Sequence, residues 1–286
     1  MVAVGGNQKR IGELKSSPEN WPVAPITESK MSDNVNGIAM FSSRGPTSDG
    51  RTKPDIVAPG TNILSVRSHQ PTAEVLWGEY NKDYVWSGGT SMATPLVAGG
   101  AAVTRQFLME KMNLEKPTSA MVKAYLLHTA TEMFPGQYGQ LGAAHGQEIL
   151  TLRPNSDEGY GLVNMAKVVG LPATADMIVV DNKLGVATGE VSNSALKTSR
   201  NGHLMVNLVW TDAPGSPNAG KALVNDLSLI VTLPNGQVIT HDDGVNNNAF
   251  IQSEVTAGTV SVQVKGTNVP MGLNGKQPYA IVISVQ

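Results

Sequence analysis

The residues best suited to chemistry lie around Ser91, in the stretch GGTSMATP that covers residues 88–95. Gly88 and Gly89 allow a tight or left-handed backbone and close approach by a bound chain. The apolar residues that follow predict a buried helix that begins near Ser91, with Pro95 in its first turn. Backbone N–H groups and the positive end of the helix dipole then lie beside the serine hydroxyl. This setting suits a nucleophile whose attack creates an oxyanion.

Three motifs occur in order up to this serine: FSSRGP at 41–46, KPDIVAPG at 53–60 and GTSMATP at 89–95, continued by VAG at 97–99. Together they resemble the sequence blocks of the subtilisin-like serine peptidases, and the resemblance covers roughly residues 1–170. It implies an extracellular endopeptidase that needs no cofactor for chemistry and acts on protein or peptide substrates through an acyl-enzyme at Ser91. Gly88, Gly89 and Thr90 would flank the scissile bond, a role compatible with simply shaping the turn.

The later part of the chain resembles the jelly-roll domain that follows the catalytic domain in one branch of that family, the large alkaline proteases. The matching motifs are LVWTDAP at 208–214 and LVNDL at 223–227. Apolar residues alternate with other residues over 204–210, 227–233 and 260–265, which predicts half-buried strands. We therefore expect two domains. Residues 1–172 form the carboxy-terminal portion of an α/β, parallel-sheet catalytic domain, and residues 173–286 form an all-β jelly roll or sandwich.

The catalytic partners of the serine are missing from the expected places. Subtilases order their triad Asp, His, Ser along the chain, and a serine hydroxyl needs an adjacent base. The one histidine before Ser91 is His69, whose surroundings read as a surface loop. The other four histidines come later and lack the family's context, and His128 reads as a packing residue. We therefore expect a carboxy-terminal part of a subtilase that is inactive until the missing amino-terminal segment is supplied.

The catalytic aspartate and the oxyanion-donating asparagine that the resemblance implies also have no match in this sequence. Asp55 belongs to a structural block by resemblance, and Asp181 follows Ser91 in the chain, so it reads as a strand-end aspartate. An asparagine that donates to the oxyanion should precede the first strand, and neither Asn7 nor Asn20 carries that motif. Loss of such a donor costs roughly 10²–10³ in rate, a figure measured on subtilisin itself.

Two other functions compete with a divided peptidase. The chain could be a non-catalytic pseudoenzyme whose β domain binds a protein, a polysaccharide or a cell surface. It could also be another serine hydrolase with a local base such as Lys53 or Lys82, although the spacing does not favour that reading.

A structural calcium ion is expected in the β domain. Asp226, Asp242, Asp243 and the asparagines at 246–248 supply hard oxygen ligands in loops between strands, and Ca²⁺ takes 6–8 such oxygens. The branch of the family that the chain resembles carries calcium in this domain. Turn formation is the competing explanation, because Asp and Asn also favour turns.

Composition sets the remaining limits. The 286 residues fit about two domains, and their 41% hydrophobic content is sufficient for real cores. A net charge of −2 gives no reason to expect a nucleic-acid or membrane partner, and no run reaches the ~18 apolar residues of a membrane span. No signal peptide is visible and the chain has no cysteine. A truncated sheet would expose an edge, so we expect the chain to need a partner, a swapped dimer or rearrangement to stay in solution.

Local patterns predict the elements that position these residues. Strands are expected at 2–5, 38–41 and 56–58, and a turn at 47–50. Helices are expected at 91–110, from a Thr118 cap to about 131, and at 163–169. Trp77, Tyr80, Tyr84 and Trp86 cluster before the serine motif, either as lining of a substrate groove or as packing under a loop.

Overall fold

A computed structural model describes residues 2–4, 22–28, 30–32, 34–140, 142, 147–272 and 274–286, with the backbone alone for 2–4 and for Glu28. The chain divides into two units. The first comprises Met1–Pro46, Thr52–Gly100 and Ala130–Val163, and the second comprises Thr47–Arg51, Ala101–Thr129 and Asn164–Gln286. The bounds of these units differ from those of the predicted domains. The domain boundary between residues 172 and 173 stays a prediction.

The first unit contains two small sheets. Strands β1 (Val2–Val4) and β2 (Val57–Pro59) are parallel, and residues 161–163 bond to the other side of β2 through Val57. Strands β3 (Ile63–Val66) and β4 (Tyr84–Ser87) form an antiparallel pair. The short parallel pair agrees with the expected strands at 2–5 and 56–58.

The prediction of a strand at 38–41 is wrong. Ile38 makes only an isolated bridge, and its N–H donates to Glu148 Oε1 at 3.1 Å rather than to a neighbouring strand. The N–H of Ser42 then returns to the carbonyl of Ala39 at 2.9 Å, which closes a turn. An apolar run of four residues indicates burial, but it does not provide the pairing partner that a strand requires.

Helix α1 spans Thr90–Glu110, close to its predicted bounds, but two expectations about it are wrong. Pro95 is its sixth residue and not part of the first turn, because the helix begins at Thr90. The helix is also not buried along its length: Ala93, Thr104 and Leu108 form a narrow buried stripe, whereas Leu96 is 44% and Val103 48% exposed. A helix that is apolar on most sides normally has its surface covered.

The second unit is a sandwich of two four-stranded antiparallel sheets, ordered β10-β7-β12-β5 and β6-β11-β8-β9. The strands are β5 (Asp176–Val186), β6 (Val191–Thr198), β7 (Gly202–Val209), β8 (Asp226–Thr232), β9 (Val238–His241), β10 (Asn248–Val255), β11 (Gly258–Asn268) and β12 (Gln277–Val285). The predicted period-2 segments lie in β7, β8 and β11. Side chains from both sheets share one core, to which Leu204, Leu229 and Ile281 belong.

Helices α2 (Ser119–Thr129) and α3 (Met165–Thr174) belong to the second unit, and α2 packs on β7 and β12. This cover explains why Met205, Asn207 and Val209 of β7 are buried although they alternate with the core residues of the strand. The predicted cap of α2 is confirmed, since Thr118 Oγ1 accepts from the N–H of Met121 at 3.1 Å.

Asp181 has a structural role. Its carboxylate in β5 accepts from the N–H of Thr118 at 2.9 Å and from the hydroxyl of Thr118 at 2.6 Å. The residue that caps α2 is thereby tied to the sheet. The prediction that this aspartate lies at a strand end is wrong, because Asp181 is the sixth of the eleven residues of β5.

A buried carboxyl group gives the first unit a pH dependence. Glu158 is fully buried and accepts from the N–H of Met133 at 2.7 Å and from Asn155 Nδ2 at 3.1 Å. Burial raises the pKa of Glu158 from 4.5 to about 7, against the opposing effect of these hydrogen bonds. Between these two pKa values the folded chain holds a proton that the unfolded chain has released.

We therefore expect Glu158 to remove stability as pH rises from about 4.5 to 7, by about 3 kcal/mol in total. Glu158→Gln is neutral throughout, so its free energy of unfolding should rise relative to the wild type over that window. Urea unfolding of both proteins at pH 5 and pH 7.5 measures the difference, with the exposed Glu110→Gln as control. A wild-type-to-variant difference that is the same at both pH values contradicts the prediction.

Candidate active site

The backbone before Ser91 is fixed by two glycines. Gly89 has a φ of +145°, and its N–H donates to the carbonyl of Gly60 at 2.7 Å. Its own carbonyl accepts from Met92 at 3.1 Å, which starts the hydrogen bonding of α1. A side chain would strain this conformation. A Cβ on Gly88 would lie 2.0 Å from Cη2 of Trp77, so this position has no room for a side chain.

This turn presents Ser91 as the second residue of a 21-residue helix, with its side chain exposed. The N–H of Ser91 has no intrahelical acceptor at that position, so it is available to a ligand. The dipole of α1 favours negative charge at the same end. Pro95 has no N–H to donate to the carbonyl of Ser91, so α1 lacks one backbone hydrogen bond at this point.

His69 does not complete this site. Its Nε2 lies 3.0 Å from Asp83 Oδ1. His69 follows β3 and Asp83 directly precedes β4, so this contact lies at the loop end of the β3–β4 hairpin. Ser87, the last residue of β4, is four residues beyond Asp83, or about 13 Å along an extended strand. Ser91 lies further still along the chain. The imidazole therefore sits at the far end of the hairpin from the serine, as its loop context indicated.

The other described histidines are engaged within the second unit. His128 is 1% exposed, with Nδ1 at 2.9 Å from Asn207 Oδ1 and Nε2 at 2.7 Å from Ser284 Oγ. This buried position fits its interpretation as a packing residue. His203 pairs with a glutamate at 2.8 Å and His241 with Asp243 at 3.4 Å. His145, Asn7 and Asn20 lie outside the described residues.

The lysines considered as local bases have no arrangement that favours the role. The ammonium group of Lys53 contacts the carboxylate of Asp55. That contact holds the ammonium group in an ion pair with an aspartate rather than with a serine. Lys82 is exposed in the loop that precedes β4.

Two of the three candidate calcium ligands, Asp242 and Asp243, already take part in hydrogen bonds. Asp243 accepts from the N–H groups of Val245 at 2.9 Å and Asn246 at 3.0 Å, and Asp242 accepts from the hydroxyl of Ser228 at 2.8 Å. Burial, and then the charge of Asp242, raise the pKa of Asp226. Among the described residues, no group of three or more His, Asp or Glu is arranged to hold a metal ion.

Sequence reasoning missed a polar hub made by the two β-domain motifs. Asn225 is fully buried, and its side chain donates to Gln277 Oε1 at 2.7 Å and to the carbonyl of Met271 at 3.0 Å. Its backbone carbonyl accepts from Trp210 Nε1 at 2.9 Å, and Asp212 accepts from its N–H at 2.8 Å. The sequence signal for this cluster was the pair of motifs at 208–214 and 223–227. These motifs indicated a family resemblance but no role for Asn225.

An exposed serine therefore opens α1 directly after two glycines whose conformation or surroundings disfavour a side chain. The sequence model described as the subtilase family matches residues 1–161, more than half of the chain, and the chain belongs to that family.

Its relatives are serine proteases. A serine protease/ABC transporter B family protein, tagD of Dictyostelium discoideum, is 27% identical over an alignment of 303 positions that includes 84% of this chain and 17% of that protein. The serine protease AprX of Bacillus subtilis is 47% identical over 77 residues, 26% of this chain and 17% of AprX. The subtilisin-like protease SBT3.1 of Arabidopsis thaliana is 30% identical over 202 residues, 65% of this chain and 23% of the plant protein. The chain thus spans less than a quarter of the length of each of these relatives.

None of the helices in the part of the chain that the structure describes is long and apolar enough to cross a membrane.

Proposed function

We propose that Ser91 is the nucleophile of an extracellular endopeptidase that cleaves protein or peptide substrates. The observation that carries the proposal is the exposed serine at the start of α1, after a turn in which neither glycine admits a side chain. Ser91 Oγ attacks the peptide carbonyl, and a base takes the hydroxyl proton. The N–H of Ser91 donates to the oxyanion, while Gly88, Gly89 and Thr90 flank the scissile bond.

Collapse of that intermediate breaks the C–N bond, and the base returns its proton to the leaving amine. The acyl group stays on Ser91 until water, deprotonated by the same base, attacks the ester. The ester C–O bond then breaks, the base returns the proton to Ser91 Oγ, and the acid is released. No cofactor takes part in these steps.

We propose that the base and its aspartate come from a further segment of the same enzyme, and that this chain is inactive without it. Three exposed apolar side chains of α1 support a partner at the helix, since Leu96, Val103 and Met109 are 37–48% exposed. A segment that covers Leu96 and Val103, which share a face of α1 because they are seven residues apart, would remove apolar area from water and bring a base to the exposed serine. Fluorophosphonate labelling of Ser91, with and without that segment, tests the proposal.

We further propose that the sandwich of the second unit is a jelly roll. The order β10-β7-β12-β5 opposite β6-β11-β8-β9 places consecutive strands in alternate sheets, except for the β8–β9 hairpin. Eight antiparallel strands divided in this way are what two Greek keys folded into a double sheet produce.

Structural calcium at Asp226, Asp242 and Asp243 is a separate proposal. Burial raises the pKa of Asp226, and the neighbouring charge of Asp242 raises it further. The second cause supports the proposal, since a bound cation would offset that repulsion. The present hydrogen bonds of Asp242 and Asp243 would have to open, so we expect weak binding.

With a dissociation constant near 1 mM, 5 mM CaCl₂ should stabilise the fold by about 1 kcal/mol and raise the melting temperature by about 2–4 °C. Differential scanning calorimetry in CaCl₂ and in EDTA measures this shift, and Asp226→Asn should abolish it. Equal melting temperatures in the two buffers would assign these aspartates to turn formation alone.

A further inference from the structure

The loop between β3 and β4 folds back along β4 and carries Trp77 toward the nucleophile turn. The N–H of Trp77 donates to the carbonyl of Trp86 at 3.0 Å, and the N–H of Trp86 donates to the carbonyl of Gly78 at 2.9 Å. An antiparallel bridge between residues 79 and 85 continues the same pairing. Backbone hydrogen bonds therefore place the indole next to the end of β4, where the chain enters Gly88.

The six-membered end of the indole covers the backbone of Gly88. A Cβ built on that glycine would lie 2.0 Å from Cη2 and 2.3 Å from Cζ3 of Trp77. Gly88 is three residues before Ser91. Phe41 meets the same indole edge-on, with 6.4 Å between ring centroids and 75° between the planes. Both rings are partly exposed, so the pair has apolar surface available beside the serine turn.

The backbone before Trp77 is strained. Leu76 has a φ of +46°, in the left-handed region that a bulky side chain rarely adopts. Its side chain is 53% exposed, so burial does not compensate for that conformation. Strain of this kind persists where surrounding structure imposes it, and it clusters at functional sites. The segment that follows Leu76 is held to β4 by backbone hydrogen bonds, and it carries the indole of Trp77.

We propose that Trp77 and Phe41 form an apolar wall beside Ser91 that contacts a substrate side chain next to the scissile bond. The wall selects peptides with a large apolar or aromatic residue at that position, because aromatic rings offer both apolar area and edge-to-face packing. This inference rests on the proposed function, since it assigns a specificity to the same site. An apolar contact of this size supports about tenfold discrimination.

Binding of unreactive peptides to the 286-residue chain tests the wall without requiring catalysis. Fluorescein-labelled octapeptides of Gly and Ser, with a single central Phe or a single central Glu, are titrated by fluorescence anisotropy. We expect the Phe peptide to bind about tenfold tighter. Trp77→Ala should reduce the ratio to about one, and Trp77→Phe should retain part of it. Tyr84→Ala, which removes an exposed aromatic ring from β4, should leave the ratio unchanged.

Equal affinity of the wild type for both peptides would contradict the proposal that Trp77 and Phe41 form this wall. So would a tenfold ratio that survives in a Trp77→Ala protein with a native circular dichroism spectrum. Probe labelling of Ser91 in the presence of the base-bearing segment separates this outcome from failure of the proposed function. Labelling without peptide discrimination contradicts only the apolar wall, whereas peptide discrimination without labelling, even with that segment present, contradicts only the assignment of Ser91 as the nucleophile.

Discussion

A fluorophosphonate probe is expected to leave this chain unlabelled on its own and to label it at Ser91 once the base-bearing segment is supplied. The described histidines pair elsewhere, with His69 at the far end of its hairpin and His128 bonded through both ring nitrogens. Without a base the hydroxyl stays protonated and unreactive. Loss of the triad base in subtilisin costs about 10⁶ in turnover, so the expected gain in labelling is at least 10³.

The experiment combines the purified chain with a separately produced subtilase amino-terminal segment that contains the Asp and His motifs. Labelling is followed by gel fluorescence, and cleavage of a denatured protein is followed in parallel. Ser91→Ala should abolish both signals. Ser87→Ala, which changes a serine at the end of β4, is the matched control and should retain them.

Two outcomes would contradict this expectation in different ways. Labelling of the isolated chain that is lost in Ser91→Ala would mean that one of its own residues acts as the base. Association with the segment but no Ser91-dependent signal would remove the peptidase proposal and favour a non-catalytic binding module.

The start of α1 could be predicted from sequence because its signals are local. Two glycines, a serine and an apolar run specify a turn and a helix start within a few residues, and the helix begins one residue from the predicted position. The prediction that Pro95 lies in the first turn was wrong, because Pro95 is the sixth residue of a helix that begins at Thr90 and a turn holds 3.6 residues. Burial of α1 could not be predicted, because it depends on which other elements cover the helix.

The sandwich could be predicted as antiparallel from its period-2 segments, but its details could not. In β11 the alternation is clear, since Val260, Val262 and Val264 are buried between more exposed residues. In β7 both faces are buried, because α2 covers the face that the pattern assigned to solvent. A polar residue such as Asn207 then lies inside the unit, and only tertiary contacts reveal it.

Asn225 shows most directly why the polar contacts could not be predicted. Its partners Met271 and Gln277 are 46 and 52 residues away in the sequence, and no local rule pairs them. The motif around 225 marked the region without indicating a role. In the structure this side chain connects the loop before β8 with Met271, which precedes β12, and with Gln277, the first residue of β12.

Asn225→Ala is expected to lower the free energy of unfolding of the second unit by about 3–5 kcal/mol. The substitution removes two donated hydrogen bonds and one accepted from the N–H of Met271 at 3.1 Å. It also leaves Gln277, which is 3% exposed, with a buried acceptor that has lost this donor. An unsatisfied buried group costs about 1–3 kcal/mol, and the vacated volume adds to that cost.

Urea unfolding followed by near-ultraviolet circular dichroism measures this loss. Asn235→Ala is the matched control, because that asparagine lies in the exposed β8–β9 turn and accepts one local bond from Gln237 at 2.9 Å. It should cost about 0.5 kcal/mol or less. Asn225→Asp keeps the shape but turns a donor into a carboxylate facing two acceptors, so it should be at least as destabilising at pH 7 and partly rescued by acid. A loss below 1 kcal/mol for Asn225→Ala would mean that water replaces the amide, and that the hub is not what joins these segments.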